Sequence, residues 1–120
     1  MLVAISSSDN NLESQVDLRF GRAKGFIIFD MDNDSFEYID NVQNLEAAQG
    51  AGIQAAQNVV NKNVDAVITG HCGPKAFNVL SPSGVKVYTT GDGKISDLIE
   101  KFKNNELEES KSADVEGHWI

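Results

Sequence analysis

The sequence predicts a three-layer α/β/α domain on a mixed, five-stranded sheet, and three observations carry that reading. The apolar segments follow one another as β-β-β-α-β-α-β-α. The turn cluster Asp32-Asn33-Asp34-Ser35 joins the second and third strands into a hairpin. Beyond the third strand, helices separate the strands, and right-handed crossovers then make each new strand parallel to its neighbour in the sheet.

Each element has a local signature. Leu2-Val3-Ala4-Ile5 is a short apolar run that ends in the polar loop Ser6 to Asn11, as a buried strand does. Gly25 to Asp30 is the second strand. Phe36 to Asp40 alternates apolar and acidic residues, the pattern of a half-exposed third strand. A helix is expected from about Ala47 to Asn61, because Ala48, Ala51, Ala55, Ala56 and Val59 recur near helical spacing. Gly50 and Gly52 weaken its first turn by about 1 kcal/mol each relative to Ala. That cost is explained by close backbone approach to a ligand or, equally, by close packing on the sheet. Asp65 to Thr69 is a strand closed by Gly70, and Pro74 stands where a short helix to Leu80 would begin. Ser81-Pro82-Ser83-Gly84 turns into the last strand, Val85 to Tyr88. Ile95, Leu98, Ile99 and Phe102 mark an amphipathic helix ending near Asn104. With strands four and five beside strand one, the sheet order is 3-2-1-4-5, the ribonuclease H-like arrangement.

Composition narrows the function. A chain of 120 residues with 41% hydrophobic content suits one domain with a real core. Residues 1–104 read as that domain and 105–120 as an acidic, mobile tail. Ten Lys and Arg against 18 Asp and Glu give a net charge of −8, which argues against a phosphate backbone as partner. No apolar run approaches the roughly 20 residues of a membrane span. The first strand directly follows Met1 without a signal-like segment, and the one cysteine, Cys72, forms no internal disulfide. Both features point to the cytoplasm.

The topology brings five segments to one edge of the sheet: Ser6 to Asp9, Phe20 to Ala23, Asn41 to Gly52, Gly70 to Lys75 and Thr89 to Lys94. Ligands of open α/β sheets bind outside the carboxyl ends of strands. Gly21, Gly50, Gly52, Gly70, Gly73 and Gly91 lie in these segments, where glycine permits close approach of backbone N–H groups. Cys72 is expected beside a helix N-terminus, which favours a thiolate, a soft-metal ligand, with the His71 imidazole adjacent. The alternative is that Cys72 is a small buried hydrophobe and His71 a surface residue. Arg19, Arg22 and Lys24 surround Phe20 and Gly21 in a basic loop suited to anions, and Lys75 adds a further cation. A solvated turn with Phe20 inserted in the core is the plainer account. His118 and Trp119 fold back over the site or fray as a chain end.

Phe20-Gly21-Arg22-Ala23, Gly50-Ala51-Gly52-Ile53-Gln54-Ala55-Ala56, Val64 to Gly70, Cys72-Gly73-Pro74-Lys75-Ala76-Phe77 and Gly84 to Tyr88 occur in one order over residues 1 to about 104. In these stretches the chain resembles the dinitrogenase iron–molybdenum cofactor biosynthesis proteins, small NifX-like cofactor-binding domains that also occur as stand-alone homologues. The resemblance implies a nitrogen fixation-related, ribonuclease H-like carrier protein for an iron–molybdenum or other metal–sulfur (iron–sulfur-type) cluster. Cluster-assembly proteins would be its partners, and it would have no catalytic role. Many relatives carry His where this chain has Arg19, and some carry His where it has Gln49, so those positions offer no imidazole here. The expected cofactor-binding set is Arg19, Phe20, Gly21, Arg22, Gly50, Gly52, Gly70, Gly73, Lys75 and Gly91, with His71, Cys72 and His118 as metal ligands.

Two other readings compete. One is a small-anion or protein-partner module that has lost cofactor binding. The other is an enzyme, either a Cys72-dependent hydrolase or a nuclease. His71 is a poor base for an adjacent Cys72 on an extended segment. Two-metal nuclease chemistry needs a carboxylate cluster, and the first strand carries no acid.

Overall fold

The computed structural model describes residues 1–41 and 51–111. In chain order the elements are β1 (Leu2–Ser7), β2 (Gly25–Asp30), β3 (Ser35–Asp40), α1 (Ala51–Val60), β4 (Ala66–Thr69), α2 (Pro74–Leu80), β5 (Lys86–Thr89), α3 (Ile95–Lys103) and β6 (Glu108–Ser110). The expected start of the first helix at Ala47, with Gly50, lies outside the described residues.

The sheet order is β3-β2-β1-β4-β5-β6. β1 runs antiparallel to β2 and parallel to β4, and β4 runs parallel to β5. The expected five strands are therefore corrected to six. Glu108 to Ser110, from the segment read as a tail, pair antiparallel with Thr89 to Val87. Leu107, partly buried on the α3 side of the core, precedes the new strand. Three residues with two acids carry no apolar alternation, so periodicity could not reveal this strand.

Alternating strand residues feed two separate cores, as the two-residue period of a strand requires. Ala4, Phe26, Ile28, Val67 and Val87 face Ala55, Ala56, Val59, Ala76 and Leu80 of α1 and α2. Val3, Ile5, Ile27, Phe29, Ala66 and Ile68 face Ile95, Leu98 and Ile99 of α3. The outcome is a three-layer α/β domain, two helices on one face and one on the other. Burial of each large apolar side chain contributes roughly 1.5–3 kcal/mol. The β2–β3 turn closes through local contacts. Asn33 Oδ1 accepts the Ser35 N–H at 3.1 Å, and Asp34 takes φ 58°, a left-handed position that Asp tolerates.

Strand directions put the ends of β1, β3, β4 and β5 and the starts of β2 and β6 on one rim. The sixth strand thus brings Glu106, Leu107 and Glu108 to the rim where the sequence expected five segments to meet.

Candidate functional site

The long connection from β1 to β2 builds the rim without regular structure. It is tied down by isolated bridges between Ser7 and Val16, Gln15 and Lys94, and Arg19 and His71. The last of these joins the basic loop to the segment after β4: His71 N–H donates to Leu18 O at 2.7 Å and Phe20 N–H to His71 O at 3.2 Å. Phe20 is buried at 2% exposure and packs on Phe26, with ring centroids 5.1 Å apart. The aromatic ring is therefore a root in the core, and the charged neighbours on either side are left at the surface.

Two of the expected glycines are explained by contact. A Cβ on Gly21 would lie 2.9 Å from Gly52 Cα, so the basic loop and the start of α1 touch backbone to backbone. A Cβ on Gly70 would lie 2.7 Å from both Leu18 Cβ and Leu18 O, because the loop crosses over it. Gly73 and Gly91 differ: nothing lies within 4 Å of a Cβ built on either. Asn41 fixes the loop from the other side. Its buried Nδ2 donates to Ala23 O at 2.9 Å and Gly21 O at 3.3 Å, and its N–H donates to Lys24 O at 2.8 Å.

Above this floor lies a groove of about 310 Å³ lined by Ser8, Asp17, Arg19, Arg22 and Lys24. Three of the cations expected at the rim thus converge, whereas Lys75, exposed in the first turn of α2, is not among the lining residues. Asp17 sits at the base. Its N–H donates to Ser6 O at 2.9 Å, and Ser6 Oγ donates to Asp17 O at 2.6 Å while also pairing with Thr69 Oγ1 at 2.8 Å. Asp17 Oδ1 accepts the Arg19 N–H at 2.9 Å and lies 3.6 Å from Arg19 Nε.

On the other side of the Arg19–His71 bridge is a second depression of about 480 Å³. Gly70, His71, Thr89, Thr90 and Gly91 line it together with Glu106, Leu107 and Glu108. The rim is thus electrically divided, basic on the β1 side and acidic on the β6 side.

Cys72 is placed differently from the expected open thiolate. It is 1% exposed and belongs to the core cluster that holds Phe20, Ala76 and Leu80. The thiol is thus packed away from solvent rather than presented on the rim surface. His71 is half-buried at the second depression. His118, like Gly50, lies outside the described residues. Among the described residues, no group of three or more His, Cys, Asp or Glu is placed to hold a metal ion. What the described groove offers an anion is the positive charge of Arg19, Arg22 and Lys24.

Asp17 and Asn41 were missed as individual residues by sequence reasoning. Asp17 had a readable signal, since an Asp two residues before a loop residue can accept its N–H in an Asx turn. Asn41 had none, because its partners lie 18 and 20 residues away.

A family model described as dinitrogenase iron–molybdenum cofactor matches residues 1–105. The chain belongs to that family. It is 32% identical to the orange protein of Desulfovibrio gigas, solved in its apo form, with a TM-score of 0.91 over 94% of this chain and 95% of that one. An NMR structure from Thermotoga, described as that of a candidate NifB protein, is 36% identical with a TM-score of 0.84, covering 97% of this chain and 98% of that one. An uncharacterized protein of Methanocaldococcus jannaschii is 28% identical over 110 residues, 90% of each chain. Family membership links this chain to the iron–molybdenum cofactor. Among the described residues, no helix is long and apolar enough to cross a membrane.

Proposed function

We propose that this chain binds and carries an iron–molybdenum or related metal–sulfur cluster during cofactor assembly in the cytoplasm and catalyses no reaction itself. The observation that carries the reading is the convergence of Arg19, Arg22 and Lys24 on one groove, over a floor held by the Gly21–Gly52 contact. Guanidinium groups offer several fixed N–H donors to an anion. Held mainly by charge, a cluster is exchangeable, as cargo must be. Cluster-assembly proteins are then the donors and recipients. His71, bridged to Arg19 and lining the neighbouring depression, is the first candidate for direct ligation. Kinship with ribonuclease H-like domains belongs to the same proposal, supported by the order of the first five strands.

Local charge can act here despite the chain's overall −8, because screening at physiological salt leaves only about 8 Å of reach. Anaerobic reconstitution with iron, molybdenum and sulfide, followed by desalting and element analysis, tests the proposal. Wild-type protein is expected to retain metal, and a triple Arg19→Gln, Arg22→Gln, Lys24→Gln variant to lose most of it. Wild-type protein that retains no more metal than the triple variant would overturn the reading.

The burial of Cys72 in the core, which takes the one thiol away from the rim, favours one second reading, a small-anion module without cofactor. A thermal melt of metal-free wild-type protein raised by phosphate or molybdate, with no metal retained on reconstitution, would select it.

A further inference from the structure

Asp17 is the one carboxylate among the residues lining the basic groove, against the three cations Arg19, Arg22 and Lys24. It is held from both sides: its backbone is bonded to Ser6, and its carboxylate accepts the Arg19 N–H at 2.9 Å and lies 3.6 Å from Arg19 Nε. Only 15% of its side chain is exposed, so it cannot swing out of the way as a surface acid does. We infer that Asp17 is a specificity-determining residue, a built-in counter-ion that keeps small oxyanions such as inorganic phosphate from occupying the groove. This inference rests on reading the groove as an anion site.

The physical reasoning concerns size. A phosphate-sized ion binds best as a close, bidentate partner of one guanidinium. At Arg19 that partner position is partly taken by Asp17, and an incoming anion there meets a fixed like charge at short range. A larger anion that spans the groove can draw on Arg22 and Lys24 and keep its charge farther from Asp17. The carboxylate therefore penalises the abundant small ligand more than the large one.

Asp17→Asn separates charge from structure, because the amide oxygen still accepts the Arg19 N–H while the negative charge is gone. Isothermal titration with inorganic phosphate at low salt is expected to show at least tenfold tighter binding to Asp17→Asn than to wild type. The gain should fall steeply as salt is added. Glu100→Gln removes one negative charge from an exposed position of α3, beside Asp34 and Lys103 and away from the groove, and should leave phosphate affinity as in wild type. Equal affinities of Asp17→Asn and wild type within twofold, or an equal gain in Glu100→Gln, would overturn the inference. Should Asp17→Asn fail to fold, Asp17→Ser makes the same measurement, since a serine hydroxyl can accept the same turn N–H. The cluster reading is judged separately. Wild type that retains metal beside an Asp17→Asn variant without phosphate gain sinks this inference alone. Metal-free wild type beside a variant that gains phosphate sinks the carrier reading alone.

Discussion

Gly70 and Gly91 follow neighbouring parallel strands on the same rim, yet their surroundings are opposite. A Cβ on Gly70 would collide with Leu18, whose main chain passes directly over it, whereas a Cβ on Gly91 would meet nothing within 4 Å. Gly21 belongs with Gly70, pressed against Gly52, and Gly73 belongs with Gly91. The rim therefore has a closed floor, where glycine lets two backbones touch, and an open wall, where packing gives no reason for glycine. Glycines that look alike in sequence answer two different demands, one of folding and one available to a ligand.

The floor should break first. Phe20 anchors it from below, so Phe20→Ala is expected to cost about 3–5 kcal/mol of unfolding free energy. Arg19→Ala, one residue away and exposed, should stay within about 0.5 kcal/mol of wild type. Urea denaturation of both variants checks the contrast, and similar losses would refute the division of this loop into root and surface. Next comes Gly70→Ala, expected to cost about 1–3 kcal/mol because backbone as well as side chain must shift. The same urea series measures it.

The open wall sharpens the comparison. Gly73→Ala and Gly91→Ala should change stability by no more than about 0.5 kcal/mol. If ligand approach is their reason, both variants should still lower metal retention on reconstitution. Unchanged retention would leave these glycines with no role at the rim.

The smallest expected effect concerns a third kind of glycine. At Gly25 the space of a side chain is filled by the Tyr38 ring from β3. Burial, aided by the Asp40 and Asp9 carboxylates, raises the Tyr38 phenol above its ordinary value of 10.0. The folded state then holds this proton more tightly than the unfolded chain does. The stabilisation is complete below the unfolded value and is lost as pH rises through the higher folded one. Stability should therefore decline above about pH 10, and Tyr38→Phe should flatten that decline. A chemical-denaturation series across this range reads the slope, and an identical slope in Tyr38→Phe would remove Tyr38 as its source.

The carboxyl-end rim is legible in the sequence. Apolar period and turn chemistry located β1 to β5, Pro74 marked the start of α2, and the crossover rule then dictated which loops meet. The buried face of α1, with Ala51, Ala55, Ala56 and Val59, follows from helical spacing. Less was legible at the site. The cations of the basic loop were foreseen, but the resident Asp17 and the clamp from Asn41 were not, and Cys72 proved to be packed in the core.

Sequence alone determined the order of the elements and, through it, the rim on which a ligand would find glycines and cations. Those properties follow from local periodicity and chain direction. Tertiary structure decided which glycines are filled, that Cys72 is buried, how Asn41 reaches Gly21 and Ala23, and that Glu108–Ser110 extend the sheet. Each of these depends on contacts between segments whose relative height and register no local pattern encodes.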